Sequence, residues 1–192
     1  MKYLVGFEDD RARNPRAVGQ KFFNLAKAAR VGFAVPQAVA ISTEAHQFYI
    51  RQGGWPDGLL DEVAKAATDL DLTEGLSIRS SATLEDLEKQ SFAGQYRTFL
   101  QVINQAELKE KIEACWKGAC TPAVQSYLKA KNVTCAEGQI PLMGVIIQKM
   151  VNAVAAGIAF GRNPMHPARD EIVIEAVKGL AEELVSGHLT PY

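Results

Sequence analysis

Between residues 20 and 31, apolar side chains fall at Phe22, Leu25, Ala26 and Ala29, the spacing that lines one face of a helix, and Gly32 stands where such a helix stops. A second helical pattern runs over residues 59–70, and Thr43 is placed to cap a third that carries Phe48 and Tyr49. Asn104 and Glu107 have the spacing of a capping box, which predicts a helix from about residue 105 to 117. Thr121 followed by Pro122 predicts one more, ending by Asn132. Short β-branched runs predict strands at 2–7, 38–42, 75–80 and 96–102. From Pro141 onward the pattern turns to strands alone, in PLMGVIIQKMV, AAGIAFGRN and EIVIEAV. Helices first and a strand-rich end predict an α+β fold with helices on a mainly antiparallel sheet.

Composition narrows the picture. The chain has 192 residues, 47% of them hydrophobic, enough for one domain or two small lobes around a core. A formal net charge of −1 gives no reason to expect nucleic acid or an anionic membrane surface as a partner. No stretch has the length and apolarity of a membrane span, and the start lacks the apolar run of a signal peptide. Cys115, Cys120 and Cys135 have no Cys-x-x-Cys spacing, so reduced thiols and a cytoplasmic location are expected. The phosphate-loop, dinucleotide, zinc-protease and serine-hydrolase signatures are all missing.

The chemistry gathers in IRSSATLEDLEKQSFAGQYRTFLQV, residues 78–102. A strand leads to Arg79, whose planar fork of donors suits phosphate oxygens. Ser80, Ser81 and Thr83 offer hydroxyls, and Gly94 allows a backbone to approach a ligand. The polar residues from 80 to 95 read as a binding loop or lid. Taken singly, Arg79 reads as the partner of Glu85 or Asp86 in an ion pair.

Residues 78–95, I-R-S-S-A-T-L-E-D-L-E-K-Q-S-F-A-G-Q, closely resemble the V-R-S-S-A-T-x-E-D-x-x-x-x-S-F-A-G-Q segment of the phosphoenolpyruvate synthase, pyruvate phosphate dikinase and rifampin phosphotransferase family. Further segments agree in order. Val18-Gly19-Gln20-Lys21, Asn24-Leu25-Ala26, Gly32 and Val35-Pro36 match the family's start. Gln148, Met150-Val151, Gly157, Phe160, Asn163-Pro164, Ile172 to Ala176, Gly179-Leu180, Glu182, Ser186-Gly187 and Thr190-Pro191 match its later part.

The resemblance implies an ATP-grasp domain, which holds ATP between two α+β lobes. It implies that Lys21 and Arg79 meet the nucleotide phosphates, and that Gly94 belongs to the loop covering them. Thr98 lies a little beyond that loop, and Gln148 in a strand lining the adenine pocket. Glu175 lies in a matching segment and reads equally as an ion-pair residue. The cofactors implied are ATP and Mg2+, with the magnesium ligands mostly outside residues 1–192. The partners implied are a phosphohistidine domain and a pyruvate-binding domain, in the same or a separate chain. No residue here is assigned to covalent chemistry or to a metal, and His46, His166 and His188 read as surface or packing residues. The expectation is therefore the ATP-binding part of a dikinase-type phosphotransferase, inactive alone. The alternative is a stand-alone, non-catalytic nucleotide-binding or regulatory module. Departures from the family pattern at Gln20, Phe22, Gly161 and Ala181 bear on that choice, because a bulky Phe22 would narrow a phosphate loop.

Overall fold

The computed structural model describes residues 2–83, 86–87, 90–91, 97–119 and 142–185. The chain divides into two compact units, Met1–Met150 and Val151–Tyr192.

The first unit is built on five strands: β1 (Leu4–Gly6), β2 (Ala38–Ile41), β3 (Leu76–Ala82), β6 (Thr98–Val102) and β7 (Met143–Lys149). They lie in the order β1-β2-β7-β3-β6, and every neighbouring pair is antiparallel. Two further short strands, β4 (Asp86–Leu87) and β5 (Gln90–Ser91), pair with each other, where the sequence suggested only irregular loop. The helices are α1 (Pro15–Val18), α2 (Gln20–Arg30), α3 (Thr43–Gln52), α4 (Leu59–Asp69) and α5 (Gln105–Gly118). The helix expected from Thr121 to Asn132 lies outside the described residues.

Alternation along the strands sorts side chains onto two faces. Leu4, Ile41, Leu76, Ile78, Val145 and Ile147 point to one face, in a core with Leu59, Val63, Leu108, Ile112 and Trp116 from the helices. Val5, Ala38, Ala40 and Ile146 point to the other, where Val18, Phe22 and Ala26 of α1 and α2 cover them. Phe22 is fully buried, and its ring stacks on Phe7 with centroids 5.3 Å apart. Burial of such a ring contributes about 1.5–3 kcal/mol. The side chain is a core residue, so it does not narrow a phosphate loop.

Local signals explain several boundaries. Asn104 caps α5 by accepting the Glu107 amide hydrogen at 2.9 Å, and its own side-chain amide donates to Glu107 Oε2 at 3.3 Å. The cap of α3 is Ser42 and not Thr43. The Thr43 hydroxyl is drawn away, donating to the Arg16 carbonyl at 2.7 Å. His46 is enclosed in the larger core, where its Nδ1 accepts the Met143 amide hydrogen at 3.0 Å. Cys115 is also buried there, and burial pushes its thiol up to about 12, which makes it inert near neutral pH.

β3 and β6 do not pair evenly. Leu76 faces Val102 and Ile78 faces Phe99, so Ser77 alone spans Leu100 and Gln101. Gln101 takes up the extra residue with φ of 57°. This bulge lets Val102 and Phe99 both face the larger core, and it delivers Thr98 to a position opposite Arg79.

The second unit is a hairpin, β8 (Ala155–Phe160) with β9 (Val173–Lys178), followed by the short helix α6 (Glu182–Val185). Its long connection is organised by Asn163, whose Oδ1 accepts amide hydrogens from Met165 at 2.9 Å and His166 at 3.1 Å. Gly157 is needed because a Cβ there would come within 2.3 Å of the Glu175 carbonyl oxygen.

Candidate nucleotide-binding face

The apolar cluster beneath α2 ends at β7. Beyond it, the same face of the sheet carries Ser77 and Arg79 of β3, Gln148 of β7 and Thr98 of β6. Of the five residues expected in the site, Arg79, Thr98 and Gln148 therefore share one face. Lys21 reaches the strand from α2, where its Nζ donates to the Ser80 carbonyl at 3.1 Å. Gly94 lies outside the described residues. Glu175 sits in the second unit, half-buried opposite Ile158.

Arg79 does not end a strand, as the sequence suggested; it is the fourth residue of β3, and the strand continues to Ala82. It is half-buried, and its Nη1 donates to Gln148 Oε1 at 3.2 Å. Gln148 is 6% exposed. The other end of its amide donates to the Pro36 carbonyl at 3.2 Å. Thr98, directly across from Arg79, is exposed.

The serines following Arg79 are not available to a ligand. Ser80 and Ser81 are 1% and 0% exposed. Ser80 Oγ donates to the Arg97 carbonyl at 3.1 Å, and Thr83 Oγ1 donates to the Leu142 carbonyl at 3.3 Å. Ser81 Oγ accepts the amide hydrogen of Phe22 at 3.1 Å. That last contact supplies something α2 lacks. Gly19 is the N-cap of α2 and has no side chain with which to satisfy the first-turn amides. Ser81 caps the helix from a strand far along the chain.

The close fit needs glycine on both sides. Gly19 has φ of 77°, and a Cβ on it would lie 1.9 Å from the Ser81 carbonyl oxygen. A Cβ on Gly144, in β7, would lie 2.5 Å from the Val18 carbonyl oxygen. The α1–α2 junction thus rests directly on β3 and β7, which sets Lys21 beside the residue that follows Arg79. Nothing in the sequence reading singled out Gly144 or the capping role of Ser81. The signal available was small residues at 19, 81 and 144, whose meaning depends on a pairing invisible in one dimension.

Among the described residues no group of three or more His, Cys, Asp or Glu side chains is placed to hold a metal ion. No helix among them is long and apolar enough to cross a membrane.

An arginine fork, a lysine and a hydroxyl residue set around one sheet face of an α+β unit present donors of the kind that phosphate oxygens accept. The comparison with known families gives it a place: the chain belongs to the pyruvate phosphate dikinase AMP/ATP-binding domain family, whose profile matches residues 48–192. Arg79, Gly94, Thr98 and Gln148 fall within that match, and Lys21 precedes it. Among curated proteins, an uncharacterized phosphotransferase, YvkC, of Bacillus subtilis is 34% identical over 190 residues, covering 90% of this chain and 22% of its own length. The phosphoenolpyruvate synthase of Aeropyrum pernix is 37% identical over 134 residues, covering 69% of this chain and 16% of its own. That of Pyrococcus furiosus is 34% identical over 155 residues, covering 78% and 19%. The chain thus spans no more than about a fifth of the length of these relatives.

Proposed function

We propose that the face carrying Arg79 and Thr98, with Lys21 at its border, binds the phosphates of ATP, and that the chain is the ATP-positioning part of a dikinase-type phosphotransferase. The observation that carries this reading is the meeting of segments distant in sequence. Lys21, Arg79, Thr98, Gln148 and Pro36 come together around one sheet face. The lysine brings a point charge and the arginine a planar fork, which together offset the charge of phosphate oxygens and hold them in place. In the longer proteins this chain resembles, the phosphoryl group would pass to a histidine on another domain, with pyruvate as a later acceptor. Magnesium would accompany ATP; the described residues alone do not build its site. An ATP-grasp arrangement, with a second lobe closing over the nucleotide, is part of the same proposal. Phe22, one of the departures that bear on the alternative of a stand-alone, non-catalytic module, is a core residue.

The test is calorimetric titration of ATP into wild type and Arg79→Ala. A hydrogen bond to a charged group contributes about 1.5–3 kcal/mol, so affinity should fall by about ten- to a hundredfold. The melting temperature should move little, because Arg79 is only half-buried. Arg79→Lys should recover part of the loss. Unchanged affinity in Arg79→Ala with a much lower melting temperature would assign the arginine to structure and sink the reading.

A further inference from the structure

We propose that Arg11 closes the free edge of the five-stranded sheet, and that it does so against strand addition by a second copy of this chain. No ligand is involved.

β1 ends the strand order, paired with β2 on one side only among the described strands. The Tyr3 carbonyl accepts the Ser42 amide hydrogen at 2.9 Å, so Tyr3 and Val5 turn their backbone groups inward to β2. Lys2, Leu4 and Gly6 turn theirs outward, where an edge strand offers a template to another chain. From Tyr3 to Phe7 the sequence has no charge and no proline, and β1 pairs with β2 without a bulge. The strand itself therefore carries little to discourage such pairing.

The edge is closed from elsewhere. Arg11 Nη1 donates to the Lys2 carbonyl at 2.7 Å, and Nη2 to the Leu4 carbonyl at 2.9 Å. The Gly6 carbonyl accepts the Asp9 amide hydrogen at 3.2 Å. All three outward acceptors are thus taken within the chain. Leu4 and Val5 are 2% and 0% exposed, although they belong to an outermost strand.

The guanidinium is built into place. Asp9 Oδ1 accepts the Arg11 amide hydrogen at 2.8 Å and Nε–H at 3.1 Å, while Oδ2 accepts from Nη2 at 2.7 Å. One carboxylate fixes both ends of the residue. Ala12, the next residue of the turn Asp10–Arg13, is buried in the smaller core cluster. The Asp9 carbonyl accepts from Arg30 Nη2 at 3.2 Å, which ties the turn to the end of α2. A planar fork can serve two successive outward carbonyls at once, whereas an ammonium is a single point.

The covered edge is self-complementary. About a two-fold axis, the outward amide and carbonyl of Leu4 on one copy meet those of Leu4 on another, as in any antiparallel pair. Leu4 belongs to one core cluster and Val5 to the other, so such pairing would continue the sheet and both its layers into the second copy.

The experiment is sedimentation of the 192-residue chain from micromolar toward millimolar concentration, for wild type, Arg11→Ala, Arg11→Lys and Arg11→Ala combined with Gly6→Pro. Proline at 6 removes an outward donor and spares the ladder to β2, and a Cβ there meets nothing within 4 Å. Wild type should keep one mass throughout. Arg11→Ala should rise toward twice that mass and return on dilution, Arg11→Lys should rise less, and Gly6→Pro should restore the wild-type result. Hydrogen exchange locates the contact: in Arg11→Ala the outward amides of Leu4 and Gly6 should slow as concentration rises. Circular dichroism and melting temperature separate association of folded chains from aggregation of unfolded ones. If Arg11→Ala sediments as wild type does, or if Gly6→Pro fails to reverse its association, the proposal is overturned. Where Arg11→Ala does not fold, Arg11→Lys decides by the same two criteria.

Discussion

Ser81 accepts the amide hydrogen of Phe22 at 3.1 Å, so a strand residue completes a helix that begins 61 positions earlier, at Gln20. The contact joins the two segments proposed to meet the nucleotide phosphates. Lys21 belongs to one and Arg79 to the other, and neither position is set by local sequence alone.

Ser81→Ala should therefore lower stability by about 1–2 kcal/mol, the usual range for losing a helix cap or leaving a buried donor unpaired. Urea denaturation should show a lower midpoint with an unchanged slope. A midpoint equal to wild type would mean that the Phe22 amide finds another acceptor, and that the two segments are not joined through this bond.

Gly144 and Gly6 offer a matched pair. A Cβ at 144 meets the Val18 carbonyl at 2.5 Å, while one at 6 meets nothing within 4 Å. Gly144→Ala should cost about 1–3 kcal/mol by forcing α1 away from the sheet. Gly6→Ala should stay within about 0.5 kcal/mol of wild type. Equal melting temperatures for the two variants would contradict the tight docking of the α1–α2 junction on β7.

His46 predicts a pH dependence. Burial holds its imidazole down to about 4 from an ordinary 6.5, opposed by a smaller pull from the Trp116 backbone. The unfolded chain takes up the proton first, so stability is full above about pH 6.5 and falls as pH drops toward 4. At about 1.4 kcal/mol per pH unit the total approaches roughly 3 kcal/mol. Protonation at Nδ1 would also remove the acceptor of the Met143 amide. Asp9 and Glu113 have carboxyls held below their ordinary values by Arg11 and Trp55, so their losses begin at lower pH. Denaturation at pH 7 and pH 5 should differ clearly in wild type and much less in His46→Gln. A difference of the same size in both would place the effect elsewhere.

Hydrogen exchange should separate the start of the 80–95 stretch from what its composition suggests. Ser80, Ser81 and Ala82 pair with Val145, Gly144 and Met143. Their amides should exchange as slowly as those of Val145 and Ile147. Fast exchange at Ser80 and Ser81 would restore the reading of these residues as part of a lid.

Periodicity made α2 and α4 readable, and the Asn104–Glu107 spacing located the start of α5. The antiparallel α+β character was readable from element order. Site residues were a different matter. Arg79 and Gln148 could be singled out by their segments, but their shared face follows from β3 pairing with β7, a contact between strands 60 or more residues apart. The serines misled because a hydroxyl in a polar run looks exposed in sequence, whereas strand pairing buries it. Thr98 needed the bulge at Gln101. The run Phe99-Leu100-Gln101-Val102 does break strict alternation, and that irregularity was the available clue.

The place of β7 bears on synthesis. It lies between β2 and β3, yet it is the last strand of its sheet to be made. Until residue 149 leaves the ribosome, β1 with β2 and β3 with β6 can exist only as two separate pairs, each with a bare edge where the central strand belongs. Assembly dominated by such distant pairings is slow, and waiting edges are where nascent chains stick to one another. Production of this protein should therefore respond to slower translation at lower temperature, and to chaperones that shelter strand edges, more than its modest size would suggest.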